Sequence, residues 1–206
     1  RYVVPDLILR RREGQFVLVL NDEEVPVLGV NRTFSRLADG KDKETRQFAG
    51  QSVREARWFI HSIQQRNQTL LKVARAIHDY QRDFFRKGKK YLVPLTLKDI
   101  AAEVEVSEAT VSRVTNGKYL QTEWGIFELK HFFSNSVAGT GPSGSRYSKE
   151  GVKEIVREIL EGEEAAQSHL SDQKVSDLLA QRGIKIARRT VAKYRKELKI
   201  DSSYER

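Results

Sequence analysis

Apolar residues change their spacing partway along this 206-residue chain. Before Gln51 they come in short runs, at residues 7–9, 16–20 and 25–30. Arg10-Arg11-Arg12-Glu13-Gly14 and Asn21-Asp22-Glu23-Glu24 separate those runs, and both stretches are turn-like. This part is expected to be irregular or to form a small β structure. From Gln51 on, the spacing becomes helical. Ser52, with Glu55 three positions on, reads as a capping box that opens a helix. Leu70, Val73, Ala74, Ile77, Tyr80 and Phe84 then recur at the helical period. Gly88, within Arg86-Lys87-Gly88-Lys89-Lys90, marks a stop. The surrounding cations suit the negative end of a helix dipole, and equally a phosphate-facing patch.

Two further stretches carry the pattern helix, tight turn, helix. Thr96 with Asp99 caps a short helix whose inner stripe is Leu97, Ile100, Ala101 and Val104. Glu105-Val106 makes the turn, Ser107 caps a second helix, and Asn116-Gly117 ends it. On a helical wheel with Glu108 at zero, Val111 and Val114 fall at about 300° and 240°, toward a core. Glu108, Ser112, Ala109 and Arg113 fall between about 0° and 140°, on the outward arc. That arc suits a major groove: Arg takes a guanine edge, a carboxylate takes a cytosine amino group, and an Ala methyl touches thymine. A small hairpin buried in a bundle is the plainer alternative.

The plan repeats after residue 146. Ser148 precedes a helix with Val152, Ile155, Val156, Ile159 and Leu160 on one face. Ser171 caps another, with Val175, Leu178 and Leu179 inside and Gly183 as its stop. The last helix spans 187–199. With Arg188 at zero, Ala187, Val191, Tyr194 and Leu198 occupy about 240–300°. Arg188, Arg189, Lys193, Arg195, Lys196 and Lys199 occupy the arc from about 340° round to 140°. Six cations against the single acid Glu197, which offers an i,i+4 partner to Lys193 alone, exceed what solubility requires. This helix is expected to dock on DNA, and Tyr194, on the apolar arc, is expected in the core.

Composition sharpens the picture. Lys and Arg number 37 against 28 Asp and Glu, a formal charge of +9, which favours an anionic partner. Residues 135–145 carry no charge and are rich in Gly and Ser, so they are expected to be a flexible linker. They lack the Gly-Lys-Ser/Thr of a phosphate-binding loop. There is no cysteine, which excludes disulfides and thiolate-ligated metal. The histidines His61, His78, His131 and His169 are scattered, so no metal and no cofactor are expected. No apolar run reaches the roughly 18 residues of a membrane span, and no membrane partner is expected. Methionine is absent even at position 1, which predicts a fragment of a longer chain.

Ala187-Arg188-Arg189-Thr190-Val191-Ala192-Lys193-Tyr194-Arg195 resembles the RpoN box, the signature of RpoN-type (sigma-54) bacterial sigma factors. Ser171-Asp172-Gln173 and Gly183-Ile184 resemble the rest of that family's last domain. Lys118-Tyr119, Trp124-Gly125 and Phe132-Phe133-Ser134 resemble the end of its helix-turn-helix region, and Arg66-Asn67-Gln68-Thr69-Leu70 the stretch before it. Pro5-Asp6, Leu20-Asn21, Pro26 and Asn31 resemble the end of its core-polymerase-binding domain. Two departures stand out. Lys196 replaces the Glu with which the box usually continues, and Ser107 and Ala109 replace the His and Ser that flank the recognition-helix Glu.

The resemblance implies a mainly α fold in four parts. Residues 1–90 would hold the end of a core-polymerase-binding domain and a long helical segment, and 91–134 the helix-turn-helix region. Residues 135–145 would be the linker and 146–206 a separate three-helix DNA-binding domain. It implies a bacterial cytoplasmic sigma factor that binds core RNA polymerase and promoter DNA with a GG element near −24 and a GC element near −12. An ATP-driven activator would act through an N-terminal region outside this chain, so the chain itself would be no enzyme. Arg188, Arg189, Ala192, Lys193, Arg195 and Lys196 would face the −24 element, with the first two arginines on guanines and the later cations nearer phosphates. Glu108, Ala109, Ser112 and Arg113 would face the −12 region. Three other readings stay open on the residues: an autonomous repressor, which Val111-Ser112-Arg113-Val114 would also suit, a recombinase fragment, and a module that binds only polymerase.

Overall fold

The computed structural model describes residues 3–21, 28–134, 147–162 and 170–200. The expected linker 135–145, Pro26 and His169 lie outside the described residues. The fold is mainly helical, with a small mixed sheet that joins strands from residues 7–20 and 119–128.

The sheet starts with a hairpin of β1 (Leu7–Arg12) and β2 (Gln15–Leu20), in register from Leu7 opposite Leu20 to Arg12 opposite Gln15. The turn is shorter than the sequence suggested. Only Glu13 and Gly14 leave the strands, with φ of 50° and 80°. Two consecutive left-handed residues match the right-handed twist of a hairpin, so Arg10, Arg11 and Arg12 remain in the strand. Asn31 accepts from the Thr33 amide at 2.8 Å and caps α1 (Arg32–Ala38), a helix absent from the sequence expectation.

Helix α2 (Lys43–Tyr80) has 38 residues and is about 57 Å long. It starts at Asp42, whose carboxylate accepts from the Thr45 amide at 2.9 Å, and not at Ser52. The expected Ser52–Glu55 box does not form. Ser52 Oγ donates back to the Phe48 carbonyl at 3.1 Å, and Glu55 takes the Gln51 amide at 2.9 Å. A box needs an extended N-cap, and Ser52 is already inside the helix. The helix breaks at Gln81, and α3 (Arg82–Lys87) runs to Gly88 at φ 103°. The Gln81 side chain is buried yet satisfied: it donates to Val93 O at 2.9 Å and accepts from Val93 N at 3.0 Å. A 3-10 turn, Lys89–Tyr91, follows.

Next come α4 (Leu97–Glu103), α5 (Glu108–Thr115) and a second hairpin of β3 (Tyr119–Thr122) and β4 (Gly125–Glu128). β3 runs parallel to β1, with Leu7 opposite Leu120, giving the order β2-β1-β3-β4. The Asp6 carboxylate, an ion-pair partner of Lys118, accepts from the Tyr119 amide at 2.9 Å. The sheet, the second half of α2, α3, α4 and α5 enclose one core, with Leu7, Ile77, Phe84, Leu95, Ile100 and Val111 fully or almost fully buried. Phe84, Phe85, Phe127 and Phe132 pack edge-on or tilted at its centre. A second core belongs to α6 (Lys149–Glu161), α7 (Asp172–Gln181) and α8 (Arg188–Glu197), around Val152, Val156, Val175, Leu179 and Val191. α6 also lies against the 3-10 turn at 89–91, so the two bundles are in contact.

Candidate nucleic-acid interface

Helices α4 and α5 form the first helix-turn-helix, built by the caps the sequence suggested. Thr96 and Asp99 make a full capping box: Thr96 N and Oγ1 donate to Asp99 Oδ2 at 2.8 and 2.6 Å, and Asp99 N donates to Thr96 Oγ1 at 3.3 Å. These Thr96 bonds hold the Asp99 carboxyl below its ordinary value. The turn closes at Glu105, φ 57°, where Val106 N reaches Ala101 O at 3.0 Å. Ser107 accepts from Thr110 N at 3.2 Å and starts α5. Val111 is buried, and Thr115 hides its hydroxyl on the Val111 carbonyl at 2.8 Å. Glu108, Ala109, Ser112 and Arg113 are all exposed on one side, as the wheel required. The β3–β4 hairpin follows as a wing, its turn carrying the half-exposed Trp124. That indole donates to Phe85 O at 3.0 Å and packs beside Gly88.

The cation run beside Gly88 is partly engaged within the protein. Lys87 pairs with Asp83 at 3.1 Å and Lys90 with Glu158 at 3.1 Å, while Lys89 lies over the Phe127 ring.

The second helix-turn-helix consists of α7 and α8. Ser171 caps α7 by accepting from Lys174 N at 3.3 Å. Gly183, φ 79°, ends it, and Ile184 N returns to Leu179 O at 2.9 Å. Ser176 Oγ donates to Ile186 O at 2.7 Å and fixes the approach to α8. Val191 and Tyr194 turn inward, and burial raises the Tyr194 pKa. Arg188, Arg189, Ala192, Lys193 and Lys196 are exposed. Among the described residues, none of these four cations makes a salt bridge within the protein.

Glu197, the only acid of α8, is drawn away toward α6, where it meets Lys153 at 2.6 Å and Lys149 at 3.8 Å. The Lys153 bond holds the Glu197 carboxyl below its ordinary value. Burial alone would lower the Lys153 pKa, but its bonds to Glu197 and Glu150 outweigh that and raise it.

Arg195 is a correction to the sequence expectation. It does not lie on the exposed cationic face. Its side chain is only 7% exposed, donates from Nε to Asp172 Oδ1 at 2.9 Å and from Nη2 to Leu170 O at 2.8 Å. The physical reason is its place at about 340° on the wheel, next to the apolar arc, where α7 presents its first residue. Arg195 fastens the recognition helix to the helix before it. Asp172, which completes this brace, was read in the sequence only as part of a family motif, with no role in holding the last helix. Its signal was a first-turn acid facing the edge of a cationic helix.

Two helix-turn-helix units, each with a polar recognition face turned to solvent, define a DNA-binding protein of the transcription-factor class. Comparison with known proteins narrows this. The family model described as "Sigma-54, DNA binding domain" matches residues 46–206. The chain is 42% identical over 205 residues to the RNA polymerase sigma-54 factor of Vibrio anguillarum, covering all of this chain and 41% of that one. It is 40% identical over 206 residues to the RNA polymerase sigma-54 factor of Escherichia coli (strain K12), covering 43% of it. The crystal structure of Aquifex aeolicus sigmaN bound to promoter DNA is similar, with a TM-score of 0.62 and 30% identity. It aligns over 100% of this chain and 60% of that one. The chain belongs to the sigma-54 family and carries its DNA-binding domain. It spans 41–43% of the length of these two curated relatives.

Proposed function

We propose that this chain is the promoter-reading part of a sigma-54-type factor, with α8 on a GG element near −24 and α5 on a GC element near −12. The observation that carries the reading is the electrostatics of α8: four solvent-facing cations, with the one acid of the helix pulled onto α6. Arg188 and Arg189, at the N-terminal end of α8, take guanine O6 and N7, the commonest specific contact in a major groove. Lys193 and Lys196 take phosphates, and Ala192, between Arg188 and Arg189 around the helix, leaves room for close approach. On α5, Arg113, Ser112, Glu108 and Ala109 form the second reading face. The whole factor binds core RNA polymerase in the bacterial cytoplasm and is opened by an ATP-dependent activator acting outside this chain. The polymerase and the activator supply the chemistry, so the chain has no catalysis of its own. Kinship with sigma-54 factors, and with one solved on promoter DNA, supports this reading.

Selection from random duplex DNA at one stated salt concentration tests it. The expected result is recovery of GG and GC dinucleotides at one fixed separation, bound by a monomer. Recovery of a symmetric palindrome bound by a dimer would replace it with an autonomous repressor, and recovery of no motif with a module that binds only polymerase.

A further inference from the structure

The contact between the two bundles is built as a fitted joint. Gly151, in the first turn of α6, is buried against the backbone of the 3-10 turn and of the residue that follows it. A Cβ there would stand 3.0 Å from the Leu92 carbonyl oxygen and 3.2 Å from that of Lys90, closer than side chains ordinarily pack. Glycine weakens a helix, and the close approach of these carbonyls is what it permits here. Ser148, the N-cap of the same helix, donates its amide to Leu92 O at 3.4 Å. Two turns further along α6, Glu158 takes the Lys90 ammonium with both carboxylate oxygens, at 3.1 and 3.3 Å. The joint reaches both cores, because Leu92 is buried in the first and Val152, the neighbour of Gly151, in the second.

We propose that this joint sets the separation between the two DNA elements the protein accepts, with Gly151 as the positioning residue. The inference rests on the reading that both α5 and α8 engage DNA. Two recognition helices joined only by a flexible chain would tolerate a range of separations, limited by reach. Two bundles docked through backbone contact hold their helices at one offset, so a base pair added or removed between the elements must be met by bending the DNA or breaking the joint.

The test compares wild type with Gly151→Val, which overfills the joint, and Glu158→Lys, which turns the Lys90 pair into a repulsion without touching either core. Affinity is measured on duplexes carrying both elements at the preferred separation and at one and two base pairs more and less, and on duplexes carrying each element alone. Wild type is expected to lose at least tenfold when the separation shifts by two base pairs. Both variants should bind single elements within about twofold of wild type, yet show an optimum-to-shifted ratio near one. Adding Lys90→Glu to Glu158→Lys should restore the ratio, and a ratio on one protein cancels the effect of added charge. Variants with the wild-type spacing profile would overturn the proposal. The chain has no cysteine, so Glu103→Cys with Gln181→Cys takes a pair of spin labels on the two bundles. Without DNA, a single narrow distance that broadens in Gly151→Val supports the joint, and a broad wild-type distribution overturns it whatever the DNA results. Wild type binding the pair no better than the stronger single element would instead remove the two-element reading, and this proposal with it.

Discussion

Arg189 and Arg195 share one helix, yet only the first reaches solvent. On the proposed reading, Arg189→Ala costs about 1–3 kcal/mol on DNA bearing GG and flattens the preference for it. A gel-shift series against scrambled duplex checks this, and an equal loss on both would make Arg189 a phosphate contact. Arg195→Met should act differently. It removes the partner of Asp172 and costs about 3 kcal/mol of stability, near the low end for a broken buried pair because Asp172 keeps some contact with water. The melting temperature of residues 147–200 falls, while the base preference of the folded protein is retained. Lost base preference at full stability would return Arg195 to the DNA face. Histidine sets a third expectation. Burial lowers the pKa of His78, held against Phe16 and Phe85, with Asp79 opposing only in part. Burial lowers that of His131 too, stacked on Phe127. The unfolded chain therefore binds protons more readily than the folded one. This stability is present above the ordinary histidine value of about 6.5 and is lost as pH falls through the depressed folded values. Calorimetry from about pH 7.5 to about pH 5 should show a falling melting temperature, and His78→Phe should reduce the fall. A flat profile would mean that neither ring resists protonation.

At the scale of elements, local chemistry was legible wherever a cap, a glycine stop and an apolar stripe agreed. The helix-turn-helix at 96–117 meets that condition, as does α7, and their caps stand where the residues place them. Ser52 shows where such reasoning fails. A serine three residues before a glutamate is a helix start only if the chain before it is not already helical, and Asp42 had started the helix earlier. The exposed faces of α5 and α8 followed from the wheel because burial is a matter of angle. Arg195 did not, because a residue on the boundary of two arcs is assigned by its partner. Two serines turn this into a measurement. Ser107→Ala removes the cap of α5 and should cost about 1 kcal/mol. Ser52→Ala removes only a bond back along its own helix and should change stability by less than about 0.5 kcal/mol. Denaturant unfolding of both variants decides it, and a larger loss at Ser52 would restore the later start of α2.

Across the whole molecule, the feature no local pattern could announce is the parallel pairing of β1 with β3. Alternation marks a strand, but nothing in residues 7–12 names residues 119–122 as the neighbour. The first hairpin is thereby part of the same body as the first helix-turn-helix. Asp6→Ala tests the coupling. It removes an ion pair with Lys118 and the bond to the Tyr119 amide. Hydrogen exchange at residues 119–122 should then speed up by about tenfold, the equivalent of roughly 1.4 kcal/mol, with exchange in α7 and α8 unchanged. Unaltered exchange in β3 would mean that the wing stands without the first hairpin. The same pairing has a consequence for biosynthesis. Asp6 and Tyr119 are 113 positions apart, so at roughly 5–20 residues per second the ribosome needs about 6–23 s to deliver the second strand after the first. Throughout that interval β1 offers an open edge to any other nascent chain, and three consecutive arginines, Arg10 to Arg12, make that edge a poor template for aggregation.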